Sequence, residues 1–450
     1  MVWVISNKRG HKQYDISPGE LQMRVLVVTN FYPPHELGGQ GRSCEQVVEG
    51  LRRRGHQVVV LTSTHGANRP IEEDSLFRAL HLEMDLTPWR HGLNFFTQRK
   101  KRERANLNYF RQLSSTFKPD VVFVWGMWNL PRSLPAAIEA QFPGKVLYRF
   151  AEYWPTLPSQ HEHYWRAPGR KWFVRLPKKA LGSLALTLLA REQRQYPLRF
   201  EHAYCVSEAT RDELVAAGVP VDHAHIIHTG LDVQAFAGVI SAPRRPHKDG
   251  TRPYRLLYAG RIHPQKGLET VIEALAGLAP DKRLPPIHFD IAGSGSDDYV
   301  AQLHSLIRRH ALTPNISFLG QIPAAGMPAL LQQAEMLVVP SLWTEPFARI
   351  VLEGMAAGAA VVAAASGGTS EIVEDGKNGL LFSPGDSAEL AQQITRLILD
   401  PDLRHSVARA GYQTVCNKFT FDIMMDKIES LLESVTFQAD TDPRRRTHAI

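Results

Sequence analysis

Short apolar runs rich in β-branched residues recur along the whole chain, each followed by a polar or Gly-rich turn and then by apolar residues at helical spacing. MRVLVVT from Met23, VVVL at 58–61, KPDVVFVWG at 118–126 and KVLYRF at 145–150 read as buried parallel strands. YRLLYAG at 254–260, IHFDIAG at 287–293, LVVPS at 337–341 and AAVVAAA at 359–365 repeat the pattern. Between them lie helical stretches: one through Leu51 after Gly38, Gly39 and Gly41, a basic one over 98–113, and LETVIEALAGL from Leu268. Strand, helix, strand, helix predicts doubly wound α/β domains, in which ligands collect at the carboxyl ends of the strands. In the first half this singles out Trp128, Asn129, Glu152, Tyr153 and Trp154 as pocket or core residues.

The pattern breaks twice. Residues 1–22 have no period, and their apolar run is too short for a signal peptide or a spanning helix, so they read as a disordered leader with Met23 as the functional start. Residues 238–253 are rich in Pro, Arg and Gly and mark a linker between a domain over 23–237 and a second beginning at 254.

Composition adds a compartment and a charge asymmetry. With 44% hydrophobic and 22% charged residues the 450-residue chain is of ordinary globular type and too long for one core. Three dispersed cysteines (Cys44, Cys205, Cys416) argue against a disulfide framework or zinc site and for a reducing cytoplasmic setting. Residues 1–225 hold 31 Lys+Arg against 21 Asp+Glu, so the basic surface belongs to the first half. There Arg170, Lys171, Arg175, Lys178 and Lys179 interleave with Trp172, Phe173, Val174 and Leu176. Such a segment suits an anionic membrane surface, peripherally on its inner face; a core helix with a charged edge is the plainer alternative. Nucleic acid fits poorly, because no recognised module accompanies the charge.

The candidate chemistry concentrates in LVVPSLWTEPFARIVLEGMAAG at 337–358. After the strand, 341–345 supplies a polar turn, and Pro346 suits the first position of a helix continued by Ile350, Val351, Leu352 and Met355. Glu345 then sits at the crevice mouth and Glu353 about two turns on, with the amides of Phe347, Ala348, Arg349 and Ile350 aimed at an entering anion. Two glutamates alone equally describe a capped, solvated helix. Arg261 and Lys266 share one strand-to-helix loop and so suit a diphosphate, though surface charge is the simpler reading. Gly293 and Gly295 let a flat base or sugar approach the backbone, and Gly38 and Gly39 permit close approach of a phosphate or hydroxyl at a helix N-terminus, a plain turn being the alternative. The latter glycines do not form a dinucleotide fingerprint.

Taken together, FYPPHELGG, YAGRIHPQKGLETVIEAL, the GSG loop, PSLWTEPFARIVLEGMAAG and SGGTSEIVEDGKNGLLF resemble the family-four retaining glycosyltransferases of GT-B fold, including their Glu-x-seven-Glu signature. The resemblance runs from about Met23 to about Val435. It implies two Rossmann-like domains facing across a cleft: an acceptor-binding one over 23–237 and a nucleotide-sugar-binding one over 254–420. A helix at 421–436 then returns to the first domain, and 437–450 forms a disordered tail. It also implies that Arg261 and Lys266 neutralise the diphosphate, Glu345 binds the donor sugar, and Glu353 holds the ribose. The amides from Phe347 to Ile350 line sugar and phosphate, and Gly38 and Gly39 border the acceptor and the diphosphate, with Glu152 and Tyr153 on the acceptor side. Three positions depart from the pattern: Ala151 stands where many relatives have histidine, Thr229-Gly230 where Asn-Gly is common, and Ala348 where EPFG has glycine.

The implied function is transfer of a sugar from a nucleotide-diphosphate donor, as co-substrate, to a carbohydrate or lipid-linked acceptor hydroxyl, in bacterial polysaccharide or glycolipid synthesis. Configuration is retained, and neither metal nor further cofactor is required. A sugar-nucleotide epimerase or hydrolase would use the same donor site without an acceptor pocket. A non-catalytic carbohydrate-binding or membrane-associated scaffold would have no need of Arg261, Lys266, Glu345 and Glu353.

Overall fold

The computed structural model describes residues 22–35, 39–67, 70–73, 75–85, 94–168, 172–193, 196–236 and 253–441. The leader up to residue 21, Gly38, Arg170, Lys171 and the linker over 238–252 lie outside these residues, as do positions 442–450. The chain divides into two compact units. One comprises Met1–Val146, Ser159–Leu198 and Leu432–Ile450, the other Leu147–Pro158 and Arg199–Leu431.

In the first unit β1 (Arg24–Thr29), β2 (Gln57–Ser63), β3 (Ile71–Glu73), β4 (Leu76–Leu80) and β5 (Val121–Gly126) lie in the order β3-β4-β2-β1-β5. All pair in parallel except the short edge strand β3, which runs antiparallel to β4. β1 is central, with Leu26 opposite Val59 on one side and Val122 on the other, and residues 25–28 are fully buried, as a strand covered on both faces must be. The order reverses beside β1. That switch point leaves a crevice outside the carboxyl ends of β1 and β5, where Asn30 donates its amide to Gly126 O at 2.9 Å.

The second unit contains the parallel strands β6 (Val146–Phe150), β7 (His202–Cys205) and β8 (His225–Ile226), paired in that order. It also contains a six-stranded parallel sheet of β9 (Tyr254–Ala259), β10 (Ile287–Ala292), β11 (Ile316–Gly320), β12 (Met336–Val339), β13 (Ala360–Ala364) and β14 (Leu380–Phe382). The order there is β11-β10-β9-β12-β13-β14. Successive residues supply opposite faces: Leu256, Val338 and Val362 pack with the helices Leu268–Leu278 and Ser387–Leu399, while Leu257, Leu337 and Val361 pack with the helix Arg349–Ala356. Because both faces are apolar the runs do not alternate, and it is as continuous apolar stretches that they were legible as buried strands. Here the order reverses between β9 and β12, so the turns after these two strands border the crevice. Arg261 and Lys266 are in the first turn, Glu345 in the second.

The closing helix is Phe421–Thr441, five residues longer than the stretch expected to end at 436; what was read as the start of a tail, 437–441, is helical. Its entry is fixed by the 230–231 turn. Leu231 donates to Phe419 O at 2.8 Å and Phe421 to Leu231 O at 2.9 Å. A Cβ on Gly230 would overlap the Thr420 carbonyl and Phe421 Cα, so backbone proximity explains a glycine at this position. Gly277, exposed in the helix Leu268–Leu278, has nothing within 4 Å of such a Cβ.

These two glycines should therefore respond oppositely to alanine. Gly230→Ala has to displace backbone and should destabilise by roughly 1–3 kcal/mol. Gly277→Ala should stabilise by about 0.5–1 kcal/mol through lower chain entropy. Thermal unfolding of both variants beside the wild type checks the pair, and equal melting temperatures would contradict the assignment for Gly230.

Candidate functional site

The turn after β12 is built from its carbonyls. Trp343 O accepts from the Ser366 hydroxyl, Thr344 O from the Tyr153 hydroxyl at 3.1 Å, and Glu345 O from the Gly368 amide at 2.8 Å. Pro346 O accepts from Ser207 Oγ at 2.6 Å and Thr210 Oγ1 at 3.3 Å. Each donor comes from elsewhere in the second unit. Gly367, at φ +54°, and Gly368 permit this contact, because a Cβ on either would strike the carbonyl of Glu345 or Pro346.

This bonding changes where the helix starts. Pro346 was expected at its first position, but the helix is Arg349–Ala356 with Ala348 as N-cap. With its carbonyl held by Ser207 and Thr210, Pro346 stays in the turn, and the Arg349 amide bonds back to Phe347 O at 3.0 Å. The row of four entering-anion amides is thereby reduced to three. Among the described residues nothing accepts from the amides of Phe347, Ala348 and Ile350. A chain with its carbonyls occupied and its N–H groups unpaired is a receptor for negative charge.

Lys266 ends a short 3-10 turn (Pro264–Lys266) after β9, and its ammonium forms an ion pair with Glu345 Oε1. The two were assigned to different parts of a donor; the fold brings them into direct contact. Glu345 is only 7% exposed, and the same Oε1 accepts from Ser341 Oγ at 2.5 Å. A buried carboxylate held by a cation and a hydroxyl is compensated, while Oε2 has no hydrogen-bond partner among the described residues. Lys266 Nζ also lies 5.4 Å from the centre of the Trp343 ring, whose buried Nε1 lacks a partner there too. Tyr153 packs edge-on against Trp343, with ring centres 6.0 Å apart, and burial pushes its phenol up to about 12. It therefore stays a neutral donor.

About one turn along the helix, Glu353 Oε1 accepts from Arg349 Nε at 3.0 Å. Burial raises the Glu353 pKa, opposed by the Arg349 charge and hydrogen bond. Arg261 is exposed; its carbonyl accepts from Tyr258 at 2.6 Å, and no carboxylate among the described residues pairs with its guanidinium. Gly293 and Gly295 have a different explanation from the one expected. A Cβ there would overlap Gly260 O and Ile262 O respectively, so close approach of the adjacent β9 turn demands them. In the first unit Gly39 caps the helix Gln40–Arg53 at φ −84° with open space where a Cβ would lie, so neither conformation nor crowding requires glycine. Asn129 is a brace: its side chain donates to Met84 O at 2.8 Å and accepts from Met84 N at 3.1 Å.

Sequence reading missed Ser207, Thr210, Ser366, His228 and Glu371. The Glu371 carboxylate accepts from the Glu208 and Ala209 amides at 3.0 and 2.9 Å, at the start of the helix Glu208–Ala216, and meets His228 Nε2 at 3.0 Å. The His228 ring in turn stacks on Phe347, with centres 5.4 Å apart. The SGGTSE string after β13 contains Ser366 and Glu371, but their partners are more than 140 positions away for Glu371 and 23 for Ser366. Nothing local indicates them.

Although burial opposes it, the Glu371 pKa is lowered by these hydrogen bonds and by His228. A depressed carboxylate stabilises the fold above its unfolded pKa of about 4.3 and loses that contribution as pH falls through the folded value. Glu371→Gln should thus lower the melting temperature at pH 7, by an amount equivalent to about 1.5–3 kcal/mol. The difference from wild type should shrink steadily below about pH 4. A pH-independent difference would mean that packing, not charge, carries the effect.

Two family models match the chain, "Glycosyltransferase Family 4" over residues 37–235 and "Glycosyl transferases group 1" over 241–414. Among curated relatives, glycogen synthase of Mycobacterium tuberculosis is 27% identical over 88% of this chain and 91% of its own. Phosphatidyl-myo-inositol mannosyltransferase of Mycobacterium leprae is 30% identical over 46% and 53%. Among solved structures, sucrose-phosphate synthase from Thermosynechococcus elongatus aligns with a TM-score of 0.68 at 19% identity, over 93% of this chain and all of its own. Anabaena HepE, solved in complex with UDP and glucose, aligns at 0.63 and 21%, over 92% of this chain and all of its own. These neighbours share the GT-B fold that the two parallel α/β sheets display. The chain is a glycosyltransferase and belongs to glycosyltransferase family 4.

Proposed function

We propose that this glycosyltransferase moves a sugar from a nucleotide-diphosphate donor to an acceptor hydroxyl with retention of anomeric configuration and without a required metal. The observation that carries the reading is the turn after β12, whose carbonyls are all engaged and whose amides at Phe347, Ala348 and Ile350 are unpaired next to Lys266. Negative charge develops on the leaving diphosphate as the sugar C1–O bond breaks. Fixed N–H groups and the cations of Lys266 and Arg261 stabilise it without reorganising. The acceptor oxygen bonds to C1 on the same face, and its proton passes to the leaving phosphate oxygen. Glu345 Oε2 accepts from a donor-sugar hydroxyl, while Glu353, already oriented by Arg349, accepts from a ribose hydroxyl.

UDP and glucose, bound by HepE, make UDP-glucose the first donor to test. The named activities of the relatives point to a polysaccharide or a glycolipid as acceptor class. In the absence of acceptor a hydrolase would cleave the donor and an epimerase would convert it to an equilibrium mixture of isomers; the transferase should do neither. Proton NMR of the product reports the configuration, and activity in the presence of a chelator tests the metal.

The basic segment supports a second element of the proposal, docking on the anionic inner face of a membrane. The helix Trp172–Gln193 exposes Leu181, Leu184 and Leu188 at positions three and four apart, with Arg175 and Lys179 exposed on the same helix. Lys178 is less available, since its ammonium lies 4.3 Å from the Tyr164 ring centre and burial lowers its pKa. Among the described residues no helix is long and apolar enough to cross a membrane. Arg175→Gln with Lys179→Gln should weaken sedimentation with acidic vesicles by about 1 kcal/mol per cation. Unchanged sedimentation would reject this face as the docking surface.

The two glutamates should fail differently. Glu345→Gln should chiefly lower kcat, since its contact strengthens as the glycosyl group gains positive charge, whereas Glu353→Gln should chiefly weaken UDP affinity. Loss of a charged hydrogen bond corresponds to about 1.5–3 kcal/mol, or roughly ten- to a hundredfold. Steady-state kinetics and calorimetric titration with UDP separate the effects. Equal, small changes would return both residues to a structural role.

A further inference from the structure

Glu371 ends the 3-10 turn Gly367–Glu371 after β13, and its carboxylate is the node of a network that reaches Phe347 by two routes. It accepts from the amides of Glu208 and Ala209 and meets His228 Nε2 at 3.0 Å. An ionised carboxylate only accepts, so the imidazole presents its Nε2–H to Glu371. All the residues involved belong to the second unit.

The first route runs through backbone. Ser207 is the N-cap of the helix Glu208–Ala216, and its Oγ accepts from Thr210 N at 3.0 Å. With Glu371 taking the amides of Glu208 and Ala209, every N–H of the first turn up to Thr210 is paired, and the cap is fixed as a unit. Ser207 Oγ in turn donates to Pro346 O at 2.6 Å. That carbonyl and the N–H of Phe347 lie in one rigid peptide plane, so the helix cap sets the direction in which the Phe347 N–H points.

The second route runs through rings. The imidazole that Glu371 orients stacks on Phe347 with planes 27° apart. Both rings also pack on the buried Phe419, with centres 5.4 Å away for His228 and 6.0 Å for Phe347. This cluster opposes rotation of the Phe347 side chain. An acid that only capped the helix would need two amides and no imidazole. Here the third bond goes to a ring that touches the turn, and the two routes meet on the first residue of that turn with an unpaired N–H.

We infer that Glu371 and His228 are positioning residues for the transfer reaction: they hold Phe347 by its peptide plane and by its ring, so that its N–H meets the β-phosphate of the donor. The inference rests on the donor reading of this turn proposed above and adds the residues that keep the turn aligned.

The test compares nucleotides that differ only in the β-phosphate. UDP with UMP, GDP with GMP and ADP with AMP are titrated into the full chain by calorimetry, with ligand-observed NMR for weak monophosphates. His228→Phe keeps a ring on Phe347 but loses the bond to Glu371, His228→Gln keeps an N–H donor but loses the ring, and Glu371→Gln weakens both routes. Each should weaken the diphosphate that wild type binds by roughly three- to tenfold and leave the matching monophosphate unchanged. A merely structural role would not separate the two nucleotides. Arg404→Met serves as the control: it removes a bond to Leu397 O in the helix Pro401–Lys418, lowers the melting temperature from elsewhere, and should leave both nucleotides unaffected. Equal losses of mono- and diphosphate, no loss in the His228 variants, or the same selective loss in Arg404→Met would overturn the inference alone. Failure of wild type to bind any of the three diphosphates would overturn the donor reading and the inference with it.

Discussion

The candidate donor site depends on the fact that a buried carbonyl must be paired. Four consecutive carbonyls, from Trp343 to Pro346, each receive a donor from another part of the second unit: Ser366, Tyr153, Gly368, and Ser207 with Thr210. Turning any one peptide plane would strand its acceptor, at a cost of about 1–3 kcal/mol each. The planes are thus locked, and with them the N–H of Phe347, which shares a plane with the Pro346 carbonyl; the Ala348 N–H shares the plane of the Phe347 carbonyl, itself held by the Arg349 amide at 3.0 Å. Stabilising a developing anion requires dipoles that are already oriented, and here that orientation is a by-product of how the turn is held.

The Lys266–Glu345 pair adds the charged part under the same constraint. A lone carboxylate as buried as Glu345 would be costly, so its partner has to be local and well placed. Gly267 makes that placement possible: at φ +68° it lets the β9 turn lie against Pro340, where a Cβ would overlap the Pro340 carbonyl. Leu342 N then donates to Gln265 O at 2.8 Å, so the turns after β9 and β12 are knitted together beside the switch point. Neither residue is exhausted by the pairing. Lys266 retains further N–H donors and Glu345 an unpartnered Oε2, which allows the pair to serve one ligand jointly.

How much of this was legible follows from the range of the interactions. Strands read correctly because their evidence is local: both-face burial makes β1, β9, β12 and β13 continuous apolar runs. The start of the helix after β12 read wrongly. Pro346 is a good first helical residue on local grounds, but Ser207, 139 positions earlier, takes its carbonyl. Gly293 and Gly295 were visible as special glycines, yet the sequence cannot distinguish a ligand from a neighbouring strand as the thing that comes close. The acids at 345 and 353 were singled out because they share one motif, whereas Glu371 was not, since its three partners are distant in sequence.

The same logic bears on the departures from the family pattern. Glycine is indispensable where the backbone is left-handed or where a Cβ would meet another chain segment, and only there. Ala348 has φ −81° and ψ 78°, a conformation open to any L-residue, and its methyl group is buried against the core of the second sheet. Alanine there adds apolar contact without moving the amide. Gly230, by contrast, is kept because the Thr420 backbone fills the space where a Cβ would lie. The alanine at 348 therefore falls where the backbone does not require glycine. The backbone groups offered to a donor depend instead on Ser207, Tyr153, Ser366 and Gly368, and it is variation at those positions that would disturb the site.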